Sequence, residues 1–537
     1  MKTWRVFAIS LFCISLLVGG LFGNRVLALT DELTSSVTLF TELIEVAHER
    51  YPEERSYRDL VYSSIHGMLR SLDPHTSFLS RESYDSMRER QQSSFYGLGI
   101  YVGQRNGRLT VITPIPGTPG AKKGLRAGDV IFTIDGESTD EMSVDDAISK
   151  LKGPKDTDVT IEILRANLDE PLELTVTRAE IPQQTVQHAY ILTPDTGFVH
   201  IRDFSRSTTS ELARALGELR EEGMERLILD LRFNGGGLLD QAITVSEQFV
   251  PKGGMIVETR GRIPSSFSSF RSEGRFEPLD LPLVVLVNGG SASASEIVSG
   301  AIQDHDVGLV VGEATWGKGL VQTVYSLPWG AGLALTTARY YTPAGRLIQR
   351  DYTSYWDYYT GYDDSTTLDD LQKQSEETDD ADVFLTDLGR KVYGGGGITP
   401  DIRVETPDLH PFVQKVLSRS GYFTFIVDYG SRNAITRSWK PSDAVFEELQ
   451  GYLVGEGFGT EEEIAEAFAE EEVWNYTYHR LRSEAFNGKF GLEEGHRAFA
   501  AFDPQVSAAL EQLDEAAELL ERRRALGEGA AAVAGSL

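Results

Sequence analysis

Three short apolar runs limit the fold of this chain more than any other feature: RLILDLRF (226–233), LPLVVLVN (281–288) and GLVVGEA (308–314). They are too short for helices and rich in Leu, Val and Ile. The first two read as buried strands and the third as a strand. Helical segments stand between and before them, at STTSELARALGELREEG (207–223), LLDQAITVSEQFV (238–250) and SASEIVSGAIQDH (293–305). GFVHIRDF precedes the series, and VQTVYSL and LALTTARYYT follow it, all with strand character. Alternation of this kind over residues 181–405 predicts an α/β layered core.

The chain has 537 residues, too many for one ordinary core, so several domains are expected. Residues 31–95 carry apolar positions at helical spacing and predict two or three helices. Residues 96–179 change to short strands punctuated by glycine, with a hairpin signal at Asp135-Gly136, and predict a small β-rich module. Residues 351–393 are aromatic and acidic and predict a surface excursion from the core. Residues 406–537 are helix-rich and acidic, and the last dozen are expected to lack structure. At the other end, Lys2 and Arg5 precede an apolar run from Phe7 to Phe22, with small residues near Ala28. Residues 1–28 read as a secretory signal or a retained anchor, which predicts export. The single cysteine, Cys13, lies inside that segment, so disulfides, thiol nucleophiles and thiolate metal sites are not expected in the rest. The net charge of −30 argues against a nucleic acid partner.

GEATWGKGLVQ (312–322) superficially matches a phosphate loop at Gly312, Gly317 and Lys318. Gly319 stands where a hydroxyl would hold magnesium, and LVQTVYSL reads as a strand where a phosphate loop needs a helix. Another role for Lys318 follows from VNGGSASASEI upstream. A buried strand there enters a tight Asn-Gly-Gly turn and then a helix, so a serine at the junction faces the helix N-terminus, where an oxyanion is stabilised. Spacing leaves Ser291, Ser293 and Ser295 equivalent. It also permits the plain reading in which Ser293 and Glu296 form a capping box. For a general base the choice is His305 or an uncharged Lys318, with Gln322 placed to orient the amine and Glu313 required to stay away from it.

These residues resemble the carboxyl-terminal processing peptidases, or tail-specific proteases. GSASASEIVSGAIQDH and VVGEATWGKGLVQ are similar to the family's nucleophile and lysine segments, and DLRFNGGGLLDQA to its glycine turn. SLDPHTSFLS, YYTPAGRLIQ and GGGGITPDI extend the likeness to about residues 36–405. The resemblance implies a serine–lysine endopeptidase with a PDZ domain placed before a ClpP/crotonase-like core, and helical regions at both ends. It assigns Ser293 as nucleophile, Lys318 as general base and Gln322 as its support. It gives the oxyanion hole to the backbone N–H groups of Ala294 and Gly236, and leaves Asp304 a structural role. Gly235 departs from the proline common in relatives. In the PDZ domain, Gly97, Leu98, Gly99 and Ile100 match the loop that takes a terminal carboxylate, with the peptide added as a strand beside Ile100–Val102. The implied partners are protein substrates with apolar C-terminal tails; an adaptor and a second copy paired through the N-terminal helices are left open. No metal, nucleotide or other cofactor is implied. The implied location is the periplasm or the outer face of the cytoplasmic membrane. The alternative from another class is a PDZ-bearing scaffold or chaperone with a silent core.

Overall fold

A computed structural model describes residues 33–105, 107–165, 168, 170–352 and 383–534, with side chains to residue 526. The signal or anchor segment with Cys13, and residues 353–382 of the insertion, lie outside the described residues. Among those described, no helix is long and apolar enough to cross a membrane. The chain divides into two compact units, one of residues up to Ser80 with Thr323–Thr336, the other of Arg81–Gln322 with Thr337 onward.

The first unit holds helix α1 (residues 33–50) and α2 (Tyr57–Arg70), whose N-terminus is capped by the Ser56 hydroxyl accepting from Asp59 N–H. Asp73 then fixes a turn by accepting from the N–H groups of His75 and Thr76 and from the Thr76 hydroxyl. Strand β1 (Ser77–Leu79) leaves that turn and pairs antiparallel with Gly332–Ala334. Along α1, Leu33, Val37, Phe40 and Leu43 stay exposed.

The second unit begins with α3 (Arg81–Gln92) and a β-rich module. The module comprises β2 (Ser94–Gly97), β3 (Ile100–Arg105), β4 (Arg108–Pro114), α4 (Pro119–Lys122), β5 (Val130–Ile134) and β6 (Glu137–Ser138). It continues through α5 (Val144–Leu151), β7 (Asp158–Leu164), β8 (Leu172–Thr177) and β9 (Ala179–Pro182). Its main sheet runs β3-β4-β5-β7-β8, with β3 at one edge and α5 packed beside it. Asp135 and Gly136 both take positive φ, 50° and 81°, as a two-residue hairpin between β5 and β6 requires.

The core follows as β10 (Val186–Thr193), β11 (Thr196–Ile201), α6 (Thr208–Glu221), β12 (Arg226–Asp230), α7 (Leu239–Ser246), β13 (Met255–Gly261) and β14 (Ser268–Arg271). Then come β15 (Leu283–Val287), α8 (Ala294–Asp304), β16 (Leu309–Gly312), β17 (Leu320–Ser326), β18 (Gly332–Tyr341), β19 (Val383–Leu385), β20 (Lys391–Tyr393) and β21 (Ile402–Arg403). The central sheet runs β10-β11-β12-β15-β16-β21, antiparallel in the first pair and parallel after it. Its apolar runs divide with a period of two. Leu227, Leu229, Leu231, Val285, Val287 and Val310 pack with α6, α7 and α8, whereas Ile228, Val284, Leu286, Leu309 and Val311 face the opposite side. The end of the expected excursion is ordered. Residues 383–393 make the hairpin β19–β20, and Arg390 is tied there to Asp306 and Asp401, both at 2.6 Å.

The C-terminal region forms α9 (Pro411–Ser418), α10 (Gly421–Arg432), α11 (Asp443–Gly455), α12 (Glu461–Ala469), α13 (Glu471–Phe490), α14 (Leu492–Ala500), α15 (Pro504–Glu511) and α16 (Leu513–Ala534). The first six share a core that includes Val416, Tyr422, Leu449, Leu453 and Leu481. The last two return to the central sheet, where Val506, Ala509, Leu513, Ala516 and Leu519 cover Ile228, Val284, Leu286 and Leu309. Parallel strands need both faces covered, and these helices supply the second face. Helix α16 continues to Ala534 through residues expected to lack structure, consistent with the high helix propensity of its alanines.

Candidate active site

Strand β15 ends at Val287, and the Asn288 side chain organises the turn after it by accepting from Phe233 and Gly290 N–H. The three serines that follow have different fates. Ser291 is buried and donates to Leu231 O at 2.8 Å, and Ser295 is buried and donates to Asn234 O at 2.8 Å. Both hydroxyls are engaged in fastening the glycine turn. Ser293 instead lines a cleft of about 390 Å³ together with Gln91, Gly235, Gly236, Gly237, Ala294, Lys318 and Gln322. Its backbone has φ 56° and ψ −109°, far from the extended conformation of an ordinary helix cap. Such a conformation costs on the order of 1–3 kcal/mol and persists where the surroundings over-determine it.

Those surroundings centre on Glu296. Its carboxylate is wholly buried and accepts from Ser293 N–H at 2.7 Å, Gly317 N–H at 2.7 Å, Lys318 N–H at 2.9 Å and the Thr315 hydroxyl at 2.6 Å. Burial pushes this carboxyl above its usual range, and the four hydrogen bonds pull against that. The capping box expected from S-x-x-E is therefore present, but the Glu296 carboxylate also grips the lysine segment. The buried Tyr340 makes a second link. Its hydroxyl lies 3.0 Å from Ser293 O and 2.6 Å from Lys318 O, with one proton to donate.

Lys318 lies in the loop between β16 and β17, so a strand follows it and not the helix that a phosphate loop requires. Gly317 has φ 84°, and a Cβ on Gly319 would sit 2.8 Å from Gln349 N, so both flanking glycines serve the bend. The amine donates to Gln322 Oε1 at 3.0 Å, a neutral partner. Glu313, the carboxylate that had to stay away, accepts from the N–H and hydroxyl of Thr406 at 2.8 and 2.7 Å. His305 bonds Asp387 and Met255 O and does not line the cleft. Asp304 is buried against Arg346.

The glycine turn departs from expectation at one atom. Gly236 does approach the serine, since a Cβ there would lie 2.8 Å from Ser293 Cβ and 2.9 Å from Ala294 N. Its N–H, expected to face an oxyanion, donates to Asn234 Oδ1 at 2.9 Å. Asn side chains commonly accept from the N–H two residues on, and that local bond takes the donor. Asn234 is itself buried and anchored to Ile201 O at 2.7 Å. Ala294 occupies the first position of α8, where backbone N–H groups have no partner within the helix.

In the β-rich module, Gly97 closes β2, Leu98 is buried and Gly99 takes φ 73° before Ile100 opens β3. The carbonyls of Leu98 and Gly99 accept from Gly120 and Ile115 N–H at 2.8 and 2.9 Å, which fixes the loop at the sheet edge. Sequence reasoning assigned no role to Asn234 or Tyr340, and gave Glu296 only a cap.

Two family models match the chain, Peptidase family S41 over residues 195–354 and PDZ domain over residues 110–165. A carboxy-terminal-processing protease of Bartonella bacilliformis is 39% identical over 314 residues, 58% of this chain and 72% of that one. A carboxyl-terminal-processing protease of Synechocystis sp. is 39% identical over 292 residues, 53% of this chain and 68% of that one. Among solved structures, a photosystem II D1 C-terminal processing protease is 32% identical with a TM-score of 0.33, covering 58% of this chain and 90% of its own. With the strained serine, the lysine and the glycine turn set around one cleft, this extent of identity places the chain in the carboxy-terminal-processing proteases of peptidase family S41, as a serine peptidase.

Proposed function

We propose that the chain is a tail-directed serine endopeptidase with Ser293 as nucleophile and Lys318 as general base. The observation that carries this reading is the convergence in one cleft of Ser293, strained at a helix N-terminus, and an amine held by the neutral amide of Gln322. An uncharged Lys318 takes the Ser293 proton while Oγ bonds to the scissile carbonyl carbon. Negative charge then develops on the carbonyl oxygen, near Ala294 N–H, where the helix dipole favours it. Gly236 N–H joins by sharing or leaving its bond to Asn234. The lysine returns the proton to the departing nitrogen as the C–N bond breaks. A water deprotonated by Lys318 finally releases the acyl chain from Ser293.

The PDZ loop Gly97–Ile100 takes the terminal carboxylate, and the substrate tail adds as a strand at the β3 edge. The edge position of β3, with α5 beside it, supports this. Cleavage takes place in the cell envelope after export. The exposed apolar residues of α1 support pairing of two copies, and an adaptor would deliver substrates in trans.

An internally quenched peptide ending in Leu-Ala-Ala tests the dyad. Ser293→Ala and Lys318→Ala should each abolish cleavage, and the wild-type rate should rise with pH as the amine loses its proton. A Lys318→Ala protein that cleaves at the wild-type rate rules the dyad out.

A further inference from the structure

We propose that Asp503 and Gln505, in the C-terminal helical extension, are positioning residues for catalysis that hold the oxyanion turn and the lysine segment in register. This inference rests on the Ser293–Lys318 reading and adds a requirement that the protease core does not contain.

Arg232 is the link to the turn. It lies four residues before Gly236, and its side chain is 10% exposed. Nε and Nη2 grip Asp230, at the end of β12, over 2.7–3.1 Å. Nη1 donates to Asp503 Oδ2 at 2.7 Å and to Gln505 Oε1 at 2.9 Å. A guanidinium clamped on both sides has little freedom left, so the chain beyond it starts from a fixed point. That chain is the turn with Phe233 at φ 58°, a strained conformation for a side-chain-bearing residue that persists when its surroundings fix it. Asp230 fixes one side of Arg232. The extension fixes the other.

Gln505 also reaches the second half of the site. Its Nε2 donates to Val404 O at 2.8 Å and lies 3.4 Å from Glu313 Oε1. Glu313 stands five residues before Lys318, and its carboxylate is the one that a neutral amine cannot tolerate nearby. Thr406 and Gln505 together engage it elsewhere. One helix start thus touches both catalytic segments.

The two oxygens of Asp503 do separate work, which makes the idea testable. Oδ1 caps α15 by accepting from Gln505 and Val506 N–H, while Oδ2 meets Arg232. Asparagine keeps the cap and loses the ion pair. With the full chain and the same quenched peptide, Asp503→Asn should lower kcat about tenfold while KM stays within about twofold. Gln505→Ala, which leaves the cap and the ion pair intact, should lower kcat by about threefold or more. Asp503→Glu should recover most of the loss. An unchanged kcat in Asp503→Asn, or a loss matched by the unfolded fraction at assay temperature, overturns the proposal. If Asp503→Asn does not fold, an unchanged kcat in Gln505→Ala overturns it alone. Wild type and Ser293→Ala run alongside: equal cleavage by those two would sink the dyad itself, whereas normal dyad behaviour with a fully active Asp503→Asn sinks only the positioning role.

Discussion

Glu296 has no contact with solvent, yet three of its four hydrogen bonds come from backbone N–H groups on two segments, at Ser293 and at Gly317 and Lys318. A carboxylate can accept all of them, but an amide of the same shape must turn an N–H₂ toward an N–H donor. Glu296→Gln is therefore expected to lower kcat by about 10²-fold with the helix content unchanged, as read by peptide cleavage and circular dichroism. Tyr340→Phe removes a hydroxyl shared by the same two segments and should cost about 1 kcal/mol of stability, seen as a lower unfolding midpoint. At this scale the sequence was legible by type and spacing only. S-x-x-E reveals a cap because the two residues are neighbours. It is silent on the grip over Lys318, which is 22 residues away and near only once strands β15 and β16 pair. Likewise Ser291, Ser293 and Ser295 are alike in sequence and separate only when the hydroxyls of Ser291 and Ser295 find acceptors on the glycine turn and Ser293 lines the cleft.

Strands β10 and β11 meet helix α14 through a stack of histidines. The rings of His188 and His496 lie 4.2 Å apart, those of His188 and His200 5.6 Å, and Tyr190 Oη is 3.0 Å from His496 Nδ1. Burial, with repulsion from the neighbouring rings, pushes His188 down to about 2. Burial pushes His496 down to about 4 against the attraction of Asp230, with His200 and Arg232 adding to the fall. His200 is lowered as well, chiefly by burial. These groups are neutral in the folded protein and take up protons when unfolded below about pH 6.5. Their contribution is thus complete above that pH and is lost as pH falls toward 4. The unfolding midpoint should drop steeply between about pH 6.5 and 4.5, and His496→Phe should flatten the curve in calorimetry. A midpoint that is level across that range contradicts the assignment. The helix-rich, acidic composition of residues 406–537 indicated helices. It could not indicate what those helices meet, because composition carries no record of which surface a helix packs against.

At the scale of the molecule, the apolar runs that announce the central sheet say that both faces are hidden, and α6, α7 and α8 account for one. The other is completed by α15 and α16, more than 200 positions after Ser293. A chain ending at residue 500 would bare Ile228, Val284, Leu286 and Leu309, and should elute as aggregate from a sizing column. One ending at residue 526 should stay monodisperse and cleave peptide normally. The order in which the layers are made carries a further consequence. At ordinary translation speeds Ser293 and Lys318 exist for on the order of ten seconds before their sheet is closed. A nascent chain therefore carries Ser293 and Lys318 on an open sheet, and the proposed peptidase is complete only once its last two helices have docked.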